Sequence, residues 1–228
     1  MGKRQKGSPQ LPWTGERYVP EVGGTIALEH LHRYAVACEL ASGKMVLDIA
    51  CGEGYGTAML AKVAQRVIGV DNSDLVIAHA TRKYRKPNLE FRIGSCAEIP
   101  LPDGCLDLVV SFETIEHHGQ HEEMLGEIKR VLKPTGLLFM SSPNKNEYIG
   151  GINSSNPFHV KELIRSEFET LLTKFYKRVV FYGQRVIYGS GIFSEAHSGA
   201  ALTFEKEKSS HSRVTGMSRP LYFLALAG

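Results

Sequence analysis

A chain of 228 residues, 43% hydrophobic and 22% charged, has the composition of a globular protein and can bury roughly 70% of its unfolded surface without staples, which excludes disorder as its main state. No apolar run reaches the ~20 residues of a membrane span and residues 1–15 lack the apolar stretch of a signal peptide, so a soluble, cytoplasmic protein is expected. A formal charge of +3, with Lys3, Arg4 and Lys6 near the start, is too weak to argue for nucleic acid, and Cys38, Cys51, Cys96 and Cys105 form no C-x-x-C pair of a zinc ribbon or disulfide framework.

Residues 1–24, punctuated by Pro9, Pro12 and Pro20 and by Gly7, Gly15, Gly23 and Gly24, read as irregular structure. From Thr25 the chain places Leu31, Tyr34, Ala35 and Cys38 at i, i+3, i+4 and i+7, an amphipathic helix that Ser42-Gly43 ends. KMVLDIA, RVIGVD, CLDLVVSF and GLLFMSS are short apolar runs suited to strands covered on both faces. LEFRIG alternates instead, with Leu89, Phe91 and Ile93 on one side. Met124, Leu125, Ile128, Val131 and Leu132 make one face of a helix that Lys133-Pro134-Thr135-Gly136 stops. Ser166 and Glu169 have the spacing of a capping box, opening a helix whose Phe168, Leu171, Leu172 and Phe175 face a core. RVVFYGQ and RPLYFLALA complete the strands as an expected antiparallel edge pair. Between them the Gly-, Ser- and charge-rich residues 189–218 form a long loop, either a surface insertion or a substrate lid. The alternation predicts an α/β fold: a doubly wound, seven-stranded sheet, mostly parallel with an antiparallel last strand. A single domain is expected over residues 25–228, with a helix at 25–43, a core at 44–183, the long loop, and the last strand at 219–228.

The strongest local signal is VLDIACGEGYG, residues 46–56. A strand passes Asp48, Gly52, Gly54 and Gly56 follow, and a helical pattern opens near Thr57. Glycines at the carboxyl end of a sheet strand let a ligand approach the backbone, and the next helix offers free N–H groups. Asp71 ends the next strand, 71 − 52 = 19 positions beyond the first glycine, where an acid can accept from ribose hydroxyls. Loop and acid together read as a site for a nucleoside-containing cofactor. The spacing is not the G-x-G-x-x-G of dinucleotide folds. It resembles, as D-x-x-x-G-x-G-x-G, the first motif of the class I S-adenosylmethionine-dependent methyltransferases. Asp71, residues 94–111 and the helix–P-x-G–strand segment 127–144 continue the resemblance, which covers about residues 44–183. It implies a Rossmann-like methyltransferase fold and cofactor contacts from Asp48, Ala50, Gly52, Gly54, Asp71, Asn72, Cys96, Ala97 and Glu113. Cys96 stands where many relatives carry an acid toward the adenine, so the backbone around Cys96, Ala97 and Glu98 would serve instead.

Glu113, Glu116 and His117 follow the fourth strand at spacings that share one side of a helical turn. Two carboxylates and an imidazole together require a cation, a proton or a base role to compensate them. The E-x-x-E-H pattern resembles that of a metal-dependent subset, including ubiquinone-pathway and small-RNA 2′-O-methylating enzymes. That resemblance implies catalytic roles for Glu113, Glu116 and His117, and a Mg²⁺ or Mn²⁺ ligand set of Glu113, Glu116, His117 and His159. In related enzymes without metal the histidine is a general base or lines the pocket, and that alternative stays open. TGERYVP and EHLHRY resemble a bacterial group found with surface-polysaccharide genes. Arg17, His32, Arg33 and Tyr34 are then candidates for gripping the methionine carboxylate or a sugar, or else a solvated helix face. His118 and His121 are expected to face solvent, and His79, His197 and His211 to be without special role. The expected reaction is methylation of a hydroxyl on a small acceptor, a sugar or glycan first and a phenol or quinone precursor second. An RNA methyltransferase and a catalytically silent binding module are the rivals. Strong nucleic-acid binding is not expected, since no basic stripe is interleaved with aromatics, and the oligomeric state is left open.

Overall fold

The computed structural model describes residues 11, 17–148, 157–187, 202–206, 211–215 and 219–228. Helix α1 (Thr25–Ala41) leads into β1 (Met45–Ile49), α2 (Tyr55–Leu60), β2 (Arg66–Asp71), α3 (Asp74–Lys83), β3 (Leu89–Ile93) and β4 (Leu106–Ser111). A 3-10 turn at Ile115–His117 precedes α4 (His121–Val131), β5 (Leu132–Pro143), α5 (Lys145–Tyr148), α6 (Arg165–Phe175) and β6 (Val179–Gln184). Then come β7 (Leu202–Lys206), β8 (His211–Thr215) and β9 (Tyr222–Ala227). No helix among the described residues is long and apolar enough to cross a membrane.

Seven strands form one sheet in the order β3-β2-β1-β4-β5-β9-β6, with β9 antiparallel to both neighbours and the others parallel to one another. The doubly wound α/β sheet is therefore as expected. Strand β9 inserts between β5 and β6, leaving β6 outermost. Their sequences explain this: YFLALA is apolar almost throughout and buried along its length, whereas β6 alternates and exposes Val180 and Tyr182. Pleating sends alternate β1 residues to opposite layers. Leu47 and Ile49 pack with Met124, Ile128, Phe168 and Leu172 of α4 and α6, and Val46 packs with Ala37, Ala41 and Leu60 of α1 and α2.

Four local expectations are corrected. The buried face of α1 is Glu29, Arg33, Tyr34, Ala37 and Ala41, while Leu31 and Ala35 are exposed. Counting apolar residues misses this face because its charged side chains bond to partners remote in sequence: the Tyr222 hydroxyl donates to Glu29 Oε2 (3.2 Å) and Arg33 Nε donates to Gln184 Oε1 (2.6 Å). Helix α6 starts at Arg165, so Glu167 rather than Glu169 accepts from the capping N–H of Ile164 (3.0 Å), and Glu169 pairs with Arg165. Ile93 is exposed, because β3 is an edge strand. Within the expected loop 189–218, β7 and β8 pair antiparallel from Leu202↔Thr215 to Lys206↔His211. Residues 1–10, 12–16, 149–156, 188–201, 207–210 and 216–218, with His197, lie outside the described residues, as does the side chain of His211.

Candidate active site

The parallel strands β1, β2 and β4 deliver their carboxyl ends to one edge, where open α/β sheets bind ligands. Two non-glycine residues there adopt left-handed backbone, Ala50 (φ 57°) after β1 and Glu113 (φ 50°) after β4. Such conformations cost about 1–3 kcal/mol each and persist only where surroundings enforce them. The Cys51 N–H donates to the Val70 carbonyl (3.0 Å), and the Glu113 N–H to Ser141 Oγ (3.1 Å).

The glycine loop is held from below and behind. Gly52 has φ 56°, and its N–H donates to Asp71 Oδ2 (3.0 Å), while the Ser73 N–H donates to Oδ1 (3.0 Å). Asp71 thus ties the loop to the start of α3 and also lines the crevice. At Gly56 a Cβ would fall 2.0 Å from the Tyr34 ring, so this glycine lets α1 approach and does not admit a ligand. The Tyr34 hydroxyl donates to Asp48 Oδ1 (3.0 Å) and Thr57 Oγ1 to Oδ2 (2.7 Å). Asp48 is 1% exposed, and burial pushes its carboxyl up to about 7 against the opposing pull of these two hydrogen bonds.

The crevice has two adjoining chambers. The larger, about 260 Å³, is lined by Arg17, Ala50, Gly52, Asp71, Asn72, Cys96, Glu113 and His117, all singled out from the sequence, and by Ser95, Thr114, His118 and Gln120. The smaller, about 120 Å³, shares Arg17, Ala50, Gly52, Glu113 and His117 with it and adds Tyr18, His30, Tyr55, Tyr222, Glu116 and His159. Glu113 and His117 therefore stand where the chambers meet. Asp48 and Ala97 line neither: Asp48 is a buried strut, and the Ala97 N–H donates to Ser95 Oγ. Gly54 also lines neither and packs toward Ala80 and Phe91. His32 is exposed outside both chambers. Arg33 is 1% exposed, stacked 4.2 Å from the Tyr222 ring and paired with Glu113 Oε1 (3.2 Å), which also accepts from Ser141 Oγ (2.6 Å).

Glu116, His117 and His159 each place one donor atom within 4.8 Å of the others. The chain brings them together by backbone bonds: the His117 N–H donates to the Thr114 carbonyl (3.0 Å), and the Glu116 carbonyl accepts from Val160 (2.7 Å) and Lys161 (3.1 Å). His117 Nδ1 lies 3.0 Å from the Phe158 carbonyl, and His159 Nδ1 lies 2.6 Å from Glu162 Oε1. Anchoring Nδ1 in this way fixes each ring and directs Nε2 to a ligand, the usual outer support of metal-binding histidines. His117 Nε2 is 4.0 Å from Glu116 Oε1. Glu116 is 1% exposed, and neither of its carboxylate oxygens has a hydrogen-bond partner among the described residues. Burial first, then the neighbouring Glu113, drives its carboxyl well above the usual range. A buried acid without partners is costly, and a divalent cation bound by one carboxylate and two imidazoles would remove that cost. The trio fits such an ion. Glu113, expected among the ligands, is not part of the trio and is engaged by Arg33.

His118 and His121 do not face solvent. His118 is half-buried with Nε2 3.4 Å from Cys96 Sγ, and His121 is buried with Nε2 2.8 Å from the His118 carbonyl, because the first turn of α4 packs beside the larger chamber. His79 is buried against Glu53 at 2.9 Å. Ser95, Thr114 and Gln120 were not singled out from the sequence, although their places just beyond β3 and β4 are the signal that could have found them.

Residues 47–140 match the family of methyltransferase domains. The chain is 38% identical over 176 residues to a probable S-adenosylmethionine-dependent methyltransferase of Mycolicibacterium smegmatis, covering 75% of this chain and 68% of that one. It is 37% identical to a probable S-adenosylmethionine-dependent methyltransferase of Mycobacterium tuberculosis, of which it spans 60%, and 32% identical to a ubiquinone biosynthesis O-methyltransferase of Rhodopseudomonas palustris, of which it spans 48%; these alignments cover 71% and 53% of this chain. A solved S-adenosylmethionine-dependent methyltransferase from Thermotoga maritima shares the fold with a TM-score of 0.61 at 17% identity, over 87% of this chain and 88% of that one. A left-handed glycine loop and an acid at the end of the second strand, both on the wall of the larger chamber, suit the adenosine portion of that cofactor. The chain shares the fold of that structure, and by its sequence it belongs to the S-adenosylmethionine-dependent methyltransferases.

Proposed function

We propose that the protein methylates a hydroxyl of a small acceptor, a sugar or glycan intermediate being the favoured class, and that Glu116, His117 and His159 hold a divalent cation, Mg²⁺ or Mn²⁺, beside that hydroxyl. The observation that carries this reading is the buried carboxylate of Glu116, without a hydrogen-bond partner among the described residues, set against two imidazoles with anchored Nδ1 atoms on the wall of the smaller chamber. The ubiquinone-pathway relative is an O-methyltransferase and supports an oxygen acceptor.

The cofactor supplies a methyl group already activated on a sulfonium, and a bound cation would lower the pKa of the acceptor hydroxyl. The chain's own work is placement. Gly52, Asp71 and Asn72 seat the nucleoside in the larger chamber, and the junction at Glu113 and His117 is where donor and acceptor would meet. Positioning of this kind supplies several kcal/mol of the barrier. Tyr18, His30, Tyr55 and Tyr222 line the smaller chamber and give it an aromatic wall suited to the C–H face of a sugar. Arg33 pairs with Glu113 at the junction and offsets part of the charge that this acid sets beside Glu116.

The test is transfer of a labelled methyl group to a panel of sugar nucleotides, glycans and phenols with and without EDTA. Sugar methylation that EDTA abolishes and Mg²⁺ or Mn²⁺ restores supports the proposal. Full turnover in EDTA removes the cation and leaves His117 as a base. Transfer to phenols alone removes the sugar.

A further inference from the structure

Glu53 sits between two glycines with left-handed backbone, Gly52 (φ 56°) and Gly54 (φ 94°). A segment of that kind is conformationally permissive, and ordering it has a large entropic cost. Yet Glu53 is 1% exposed, and its carboxylate is met from three directions. Oε1 lies 2.9 Å from His79 Nε2 and 2.7 Å from Lys83 Nζ, and Oε2 accepts from the Tyr84 hydroxyl at 2.7 Å. All three partners belong to α3 or its C-terminal cap. The same helix starts just after Asp71, whose carboxylate takes the N–H groups of Gly52 and Ser73. The β2–α3 unit thus grips the glycine loop at two points, Asp71 at the end of β2 and the Glu53 receptor at the far end of α3. Lys83 extends the second grip to Glu21 (3.1 Å), in the segment that carries Arg17 and Tyr18 over the crevice.

We propose that Glu53 is the positioning residue of the cofactor loop: docking of its carboxylate into the His79–Lys83–Tyr84 receptor sets Gly52 and Ala50 in register with Asp71, and cofactor affinity depends on it. In this role Glu53 acts through the backbone it fixes and not through a contact of its own, although the residue also borders the smaller chamber. The proposal depends on the cofactor alone and is independent of the acceptor and of any cation, so it survives if those readings fail.

The experiment compares the parent protein with Glu53→Gln, Lys83→Met and Leu172→Ala, the last a truncation in the core on the opposite face of the sheet. S-adenosylhomocysteine is titrated by calorimetry where every variant is folded, and urea unfolding without ligand reports stability. Glu53→Gln keeps the side-chain size but removes the charge that Lys83 meets, and it should weaken S-adenosylhomocysteine about tenfold or more. Lys83→Met retains the His79 and Tyr84 contacts and should lose less. Leu172→Ala should lower stability and leave affinity unchanged. If Glu53→Gln lowers stability as Leu172→Ala does while affinity stays at the parent value, the positioning role is overturned. Should Glu53→Gln fail to fold, the double variant Lys83→Met/Tyr84→Phe decides in the same way: weakened binding supports the proposal and unchanged binding overturns it.

Discussion

His30 gives the sharpest test of how the crevice wall is built. Its ring stacks on Tyr18 with centroids 5.0 Å apart, and Nδ1 lies 3.0 Å from the Tyr55 hydroxyl. Burial, reinforced by the charge of Arg33, pushes the imidazole down from 6.5 to about 3. In the unfolded chain the same ring takes up a proton near 6.5. The folded state refuses that proton, so stability is fully present above pH 6.5 and falls as the pH drops from there toward 3. Each pH unit in that window costs up to about 1.4 kcal/mol, or about 2 kcal/mol by pH 5, less whatever solvent screens at a partly exposed ring. His30→Phe keeps a flat ring against Tyr18, removes the titration and loses the Tyr55 bond, at about 1 kcal/mol. The variant should therefore be the weaker protein at about pH 7.5, and its deficit should vanish or reverse near pH 5. Urea unfolding followed by far-UV circular dichroism across that range measures the difference directly. A difference that does not change with pH would refute the assignment of a buried, neutral imidazole to this position.

Asp48 should show the opposite trend. Its folded pKa, about 7, lies above the unfolded value of 3.8, so its ionised form is disfavoured in the native state and stability falls as pH rises from about 4 through 7. Asp48→Asn removes this slope and should gain about 2–3 kcal/mol on the parent between about pH 5 and 8; parallel pH profiles would contradict it. Gly56→Ala drives a methyl to 2.0–2.4 Å from Tyr34 ring atoms and must displace the ring that donates to Asp48. Overpacking of that kind costs about 1–3 kcal/mol, so an unshifted thermal midpoint would show that α1 is not packed on the loop in this way.

Features encoded over a few residues were readable from the sequence. The β1 and β2 runs, the three glycines and Asp71 all lie within one strand–helix–strand unit, and their patterns carry the parallel sheet and the crevice at its edge. His159, read as a remote companion of Glu116 and His117, does stand beside them, because Val160 and Lys161 bond to the Glu116 carbonyl. What escaped depends on contacts between distant segments. Arg33 looks like a solvated helix residue until β6 and β9 supply Gln184 and Tyr222, and only then does Glu113 turn to it. Gly56 looks like part of a ligand-admitting loop and Asp48 like a ligand contact until Tyr34 of α1 covers the one and bonds the other. The place of β9 inside the sheet follows the same rule, since a continuous apolar run shows that a strand is interior without naming its neighbours.

A crystal of the protein soaked with S-adenosylhomocysteine bears most directly on the whole account. Adenosine density along the larger chamber, with ribose hydroxyls on Asp71 and the sulfur facing the junction of Glu113 and His117, is the predicted result. A chamber left vacant at saturating ligand, or ligand bound on another face, would contradict it.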